Sequence, residues 1–204
     1  DNLVVAARTG VGATDISLFI VSSQAEGVTQ NLLKTIASDR QSEVVFKNVE
    51  VPSVSLLGES NTGWATIEKV LQWGAIGKCA EMSGGGQEVL DMTVEYAKQR
   101  TQFGRPIGTF QAIQHHCANM ATDVEGAKFI TYQAAWKLSE GLPAEREVAM
   151  AKAWVSEAYR RVCALGHQSH GAIGFTKEHN MQLYSRRAKA AELAFGDADL
   201  HLEK

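Results

Sequence analysis

From position 110 to 138, every third or fourth residue belongs to one nearly apolar series: Phe110, Ile113, Cys117, Met120, Val124, Ala127, Thr131, Ala134 and Leu138. Steps of three and four keep one side of an α-helix facing the same way, so a stripe this long demands a partner surface along its whole length. Gly141 and Pro143 end the pattern, and Val148, Ala151, Val155, Ala158, Val162 and Leu165 begin it again. Two such helices joined by a short link are bundle helices. Cys117, Met120 and Cys163 lie on these stripes and read as core filling.

An earlier helix is expected from about residue 62 to 99, but it carries Gly74, Gly77 and the run Gly84-Gly85-Gly86, where helices prefer alanine. Close packing against a neighbour is the expected reason. A break at 84–86, or a backbone lying near a ligand, is the other. Before residue 62 the period is two. Residues 3–8 and 16–21 are rich in β-branched and apolar side chains around a glycine-rich turn, which predicts a hairpin. Residues 42–51 alternate roughly through Val44, Phe46 and Val49 and stop at Pro52, which predicts a half-buried strand. The turn itself, Gly10-Val-Gly12-Ala-Thr-Asp15, has part of a dinucleotide-binding fingerprint, but it lacks the third glycine and leads into a strand where that motif needs a helix. The fold class is therefore mainly α: an up-down four-helix bundle over residues 60–204, preceded at 1–53 by part of an antiparallel β domain.

Net charge is −3, which gives no electrostatic footprint for nucleic acid or an anionic membrane. No apolar run approaches the ~20 residues of a membrane span. Cys79, Cys117 and Cys163 are odd in number and scattered, as in proteins that keep their thiols reduced, and this points to the cytoplasm. The first residue is not methionine and the strand pattern begins at once, so the sequence reads as a fragment of a longer protein.

Two glycine-rich stretches punctuate the helices. In Arg100-Thr-Gln-Phe-Gly-Arg-Pro-Ile-Gly-Thr-Phe-Gln111, Gly104 and Pro106 stop the first long helix, and Arg100 sits at its end, where a cation offsets the helix dipole. The third helix is expected to run out near Gly166 into a loop through Phe175. His167, His170 and His179 lie in or beside that loop, but without a nearby cysteine or aspartate their spacing alone does not make a zinc site. Asn180 is expected to cap a helix through about Leu193, with Arg186 and Arg187 on its surface. Gly196 then breaks that helix and Asp197 caps a last one.

The motif Arg-x-Gln-Phe-Gly-x-Pro-Ile followed by Phe-Gln resembles the signature of the acyl-CoA dehydrogenase family, and so does the Gln168-Ser-His-Gly171-Ala172-Ile-Gly174-Phe175 segment. The Phe-x-x-Val-x-Val-Pro run at 46–52 resembles the end of that family's middle β domain. The resemblance implies that Arg100 reaches the pyrophosphate of an FAD held mainly by a neighbouring subunit. It also implies that Phe103 and Gln111 lie against the same cofactor, and that Gln168, Gly171 and Ala172 approach it from the second motif. Ala172 stands where the family has a second glycine. The implied reaction is α,β-dehydrogenation of an acyl-CoA thioester, as in fatty acid β-oxidation, with an electron-transfer acceptor. The implied assembly is a homo-oligomer, dimer or tetramer, or a heterotetramer with a paralogous subunit.

Most members carry the catalytic base as a Glu before the glycine that here is Gly196, and others carry it early in the first bundle helix. Phe195 and Gly74 occupy those two positions, so no catalytic residue is assigned. Glu81, Glu192, Asp197 and Asp199 are each displaced by two residues or more. Three readings follow: a working dehydrogenase with an unusual base, a non-catalytic scaffold subunit, or a flavin oxidase or monooxygenase on the same fold.

Overall fold

The structure, a computed structural model, describes residues 1–203. The chain divides into two compact units, residues 1–71 and residue 72 onward.

In the first unit, β1 (Asn2–Arg8) and β2 (Ile16–Ser22) form the expected antiparallel hairpin, with Asn2 opposite Ser22 and Arg8 opposite Ile16. Its turn closes through Asp15, whose Oδ2 accepts from the Gly12 N–H at 2.7 Å. A Cβ at Gly10 would meet that oxygen at 2.5 Å, so the glycines serve the turn. A second hairpin pairs β3 (Val28–Leu33) with β4 (Gln41–Phe46). The strand read over 42–51 ends early, because Asn48 turns into the left-handed region at φ 52. Strand β3 carries no apolar alternation and depends on its ladder with β4. A short β5 (Leu56–Leu57) joins the edge of β2. Buried Ser17 ties the loops here: its hydroxyl accepts from the Asn61 N–H at 2.8 Å and lies in contact with Thr9 Oγ1.

The helical part runs α1 (Gly63–Gln99), a two-rung hairpin of β6 (Thr101–Gln102) and β7 (Arg105–Pro106), α2 (Gln111–Ser139), α3 (Glu145–His170), α4 (Met181–Leu193) and the single-turn-and-a-half α5 (Ala198–Leu202). The cross-contacts fix an up-down order. Ser83 and Gly86 of α1 meet Thr131 and Val124 of α2, so those helices are antiparallel. Asp123 pairs with Arg161 and Lys137 with Glu147, which makes α2 and α3 antiparallel as well. Helix α3 lies at the centre. Its Val148, Ala151, Val155, Ala158 and Val162 stripe is buried together with Tyr159. Thr131, on the α2 stripe, is tolerated there because its hydroxyl donates to the Ala127 carbonyl of its own helix at 2.7 Å.

Helix α1 runs through its glycine triplet without a break. Gly85 accounts for the triplet, since a Cβ there would come 2.5 Å from the Tyr159 hydroxyl. Helix α3 likewise does not stop at Gly166 but continues to His170, and Gln168 is therefore helical rather than in a loop. Gly166 is a packing glycine too: a Cβ would meet Val89 Cγ1 at 2.9 Å and Met181 Cε at 3.0 Å. Asn180 precedes α4, but its side chain makes no capping bond. His179 Nδ1 accepts from the Met181 N–H at 3.1 Å instead. Asp197 caps α5 as expected, accepting from the Leu200 N–H at 3.0 Å.

These contacts predict opposite signs for two adjacent substitutions. Gly85→Ala should destabilise the bundle by about 1–3 kcal/mol, because overpacking the Tyr159 contact outweighs the better helix former. Gly84→Ala, exposed and with open space at its Cβ, should stabilise by up to about 1 kcal/mol. Denaturant unfolding of both variants checks the pair, and like signs would refute the packing account.

Candidate functional site

The two glycine-rich motifs converge at one end of the bundle. Arg100 follows the last turn of α1, its N–H donating to the Tyr96 carbonyl at 2.8 Å. The Tyr96 ring in turn stacks on His170 at a centroid distance of 4.5 Å, and His170 immediately precedes Gly171. From the other side, His116 on the second turn of α2 lies 3.4 Å through Nδ1 from the hydroxyl of Ser169, the neighbour of Gln168. Arg100, Gln111, Gln168, Gly171 and Ala172 are thus held around one platform of packed rings.

At this platform the six residues named from sequence, Arg100, Phe103, Gln111, Gln168, Gly171 and Ala172, are all exposed. Phe103 sits at the tip of the β6–β7 hairpin in the left-handed region at φ 52, with 93% of its surface open. Its only ring contact among the described residues is an edge-on approach to Phe110, over which the Arg105 guanidinium also lies, at 4.2 Å. Arg100 belongs to none of the ion pairs among the described residues. Gly171 takes φ 66, and nothing lies within 4 Å of where its Cβ would be. An uncommitted guanidinium, two open amide side chains, a presented aromatic ring and a bare stretch of backbone suit a ligand that carries both phosphate oxygens and a flat ring system. A flavin dinucleotide is such a ligand, and this donor set fits it.

Beneath the platform the histidines are packed rather than presented. His170 is 5% exposed; its Nδ1 donates to the Gly166 carbonyl at 2.8 Å, and its Nε2 has no partner among the described residues. His167 stacks on Phe175 at 4.3 Å and His179 tilts against His170 at 4.8 Å. Burial is the main cause that holds the imidazoles of His167 and His170 below their ordinary 6.5, and repulsion from neighbouring histidines adds to it. The bond to Gly166 opposes the shift at His170. Among the described residues no cluster of three His, Cys, Asp or Glu is arranged to hold a metal ion.

A second feature lies far from the first. Gly74, in the first third of α1, and Phe195, in the turn between α4 and α5, touch: a Cβ at Gly74 would come 2.3 Å from Phe195 Cε1. The sequence named these two positions separately and did not bring them together. The turn is held from below by Lys152, a residue that sequence reading missed. Lys152 is fully buried and donates to Ser156 Oγ at 2.9 Å, to the Glu192 carbonyl at 2.9 Å and to the Gly196 carbonyl at 2.8 Å. The available signal was its position four residues after Val148 and three before Val155, which puts a lysine on the apolar stripe. Three of the four displaced carboxylates are engaged elsewhere: Glu81 pairs with Lys78 at 2.6 Å, Glu192 with Lys189 at 3.2 Å, and Asp197 caps α5, while Asp199 lies exposed in the first turn of α5.

Residues 61–204 match the family profile described as acyl-CoA dehydrogenase, C-terminal domain. The subunit CarC of the caffeyl-CoA reductase–Etf complex of Acetobacterium woodii is 35% identical over 205 residues, covering 98% of this chain and 54% of CarC. Butyryl-CoA dehydrogenase from Megasphaera elsdenii superposes with a TM-score of 0.94 at 32% identity, covering 100% of this chain and 54% of the other. A structure described as PigA with FAD and proline superposes with a TM-score of 0.94 at 25% identity, again over 100% of this chain and 54% of its own. The chain therefore spans about half the length of the relatives it matches.

The histidine platform makes the bundle acid-sensitive. The folded state holds His167 and His170 neutral, whereas the unfolded chain takes up protons near 6.5, so their contribution to stability is complete above that pH and is lost as pH falls below it. Thermal unfolding from pH 8 to 5.5 should show this acid limb, and His170→Phe, which keeps the stack on Tyr96, should flatten it. An acid limb of unchanged slope in the variant would remove His170 from the account.

Proposed function

This chain belongs to the acyl-CoA dehydrogenase family, and from that premise we propose that the whole protein is a subunit of an FAD-dependent acyl-CoA dehydrogenase that acts on the α,β-carbons of an acyl-CoA thioester. We read residues 1–53 as the remainder of a middle β domain and residues 60–204 as its C-terminal bundle. The observation that carries the reading is the convergence of two exposed, uncommitted motifs on the Tyr96–His170 platform. There Arg100 would take the pyrophosphate, Gln111 and Gln168 would supply amide contacts, Phe103 would cover a ring face, and Gly171 and Ala172 would offer open backbone. FAD, when bound, supplies the hydride acceptor.

The distance along α1 supports a shared site. Gly74 and Arg100 are separated by most of one straight helix, roughly 40 Å at 1.5 Å per residue. A single dinucleotide does not bridge that length, so the Arg100 end and the Phe195 corner of one chain serve different active sites. An oligomer in which each bundle completes its neighbour's cofactor site satisfies this. The open side chains of Phe129, Tyr132 and Trp136 on α2 and of Met150 and Trp154 on α3 favour such association. An electron-transfer acceptor and a paralogous partner subunit are consistent with the likeness to CarC. Among the described residues no helix is long and apolar enough to cross a membrane.

A second reading is favoured by the corner itself. With an aromatic ring on glycine where an acid is needed, and with Glu81, Glu192 and Asp197 tied elsewhere, neither Phe195 nor Gly74 can take the α-proton. In that reading the subunit completes the cofactor site of a base-bearing paralogue and does no chemistry at its own corner.

Arg100→Ala in the full-length protein should weaken FAD binding about 10- to 100-fold, the loss of a hydrogen bond to a charged group worth roughly 1.5–3 kcal/mol. Flavin absorbance after gel filtration reads it, and undiminished retention would sink the assignment. The base question is decided by dye-coupled acyl-CoA oxidation in the homo-oligomer. Phe195→Glu should raise a low rate by up to ~10²–10⁴, the usual worth of a general base. Robust wild-type activity abolished by Glu192→Gln or Asp197→Asn would place the base in the native chain instead.

A further inference from the structure

The turn between α4 and α5 is built in an unfavourable backbone conformation. Phe195 takes φ 60 and Gly196 φ 95, two successive left-handed residues, and the first is not glycine. A non-glycine residue stays there only where its surroundings over-determine it. Lys152 is the group placed to do so. Its ammonium has three protons and the structure gives it three neutral acceptors, Ser156 Oγ and the carbonyls of Glu192 and Gly196. Those carbonyls stand on either side of Phe195. Glu192 also lies in the last turn of α4, where unpaired carbonyls gather negative partial charge that a buried cation can answer in place of a carboxylate. His201 Nε2, donating to the Phe195 carbonyl at 2.9 Å, holds the same turn from α5.

We infer that Lys152 is a positioning residue: by holding the Glu192 and Gly196 carbonyls it sets the left-handed backbone of the turn and keeps the Phe195 ring on Gly74. Without the ammonium, Phe195 returns to the negative-φ region it prefers, and its ring leaves the glycine. The Lys152 stem, fully buried, serves packing alone and is separable from the charge. What the corner is for rests on the proposed function. How Lys152 shapes it does not.

The test needs neither flavin nor substrate. Full-length protein labelled with 4-fluorophenylalanine gives one ¹⁹F resonance per phenylalanine, and Phe195 is assigned by the resonance missing in Phe195→Leu. Lys152→Met keeps an apolar stem without donors. It should move the Phe195 resonance toward that of the free amino acid, while Ser156→Ala, which leaves both carbonyl bonds in place, should not. A folded Lys152→Met protein with an unmoved resonance overturns the proposal. Should Lys152→Met fail to fold, Phe195→Gly decides, because glycine adopts a positive φ freely. The double variant should then fold, or lose distinctly less Tm than Lys152→Met does against Phe195. An equal loss in both backgrounds makes Lys152 a general core residue and overturns the assignment. Failure here leaves the Arg100 flavin result untouched, and the converse holds.

Discussion

Contacts between glycine and bulky side chains set the spacing on which the rest of the bundle depends. Gly85 lets α1 close on Tyr159 of α3, Gly166 of α3 admits Val89 and Met181, and Gly74 receives Phe195. Each glycine costs helix propensity of up to about 1 kcal/mol, and each returns a backbone close enough for a large side chain to lie flat across it. Helix α3 meets α1 in this way at Tyr159 and at Gly166, and residues near the two ends of α3, Lys152 and His170, are held towards opposite ends of the bundle.

That separation gives the two ends different characters. At the Arg100 end, polar donors and Phe103 are left open while the rings beneath them are packed, which is how a rigid support presents adaptable contacts. At the Phe195 end the polar groups are consumed. The carbonyls of Glu192, Phe195 and Gly196 all accept from side chains, Glu192 is paired and Asp197 caps α5. One end leaves its polar side chains open, and the other ties its polar groups into a turn.

Much of this was legible in the sequence, and for identifiable reasons. The stripes of α2 and α3, the β1–β2 hairpin and the Asp197 cap each depend on local periodicity or a local hydrogen bond. What escaped depended on partners distant in sequence. Strand β3 has a polar face and becomes a strand only through β4. Gly166 reads as a helix stop until Val89 and Met181 are seen against it, and Asn180 reads as a cap until His179 is found accepting that N–H. At the Arg100 end, the two motifs name their residues but not the Tyr96–His170 and His116–Ser169 contacts that join them. Lys152 was visible only as a charge out of place on an apolar stripe.

The Phe195 corner separates geometry from chemistry. A turn made for shape alone would relax the left-handed strain by carrying glycine or asparagine at its first such residue. Here a phenylalanine occupies it, its carbonyl bonded to His201, the next carbonyl bonded to Lys152, and its ring lying against Gly74. The side chain that this turn directs at α1 is one that can pack but cannot accept a proton. Proton transfer needs a titratable group within hydrogen-bond reach, and neither Phe195 nor Gly74 supplies one.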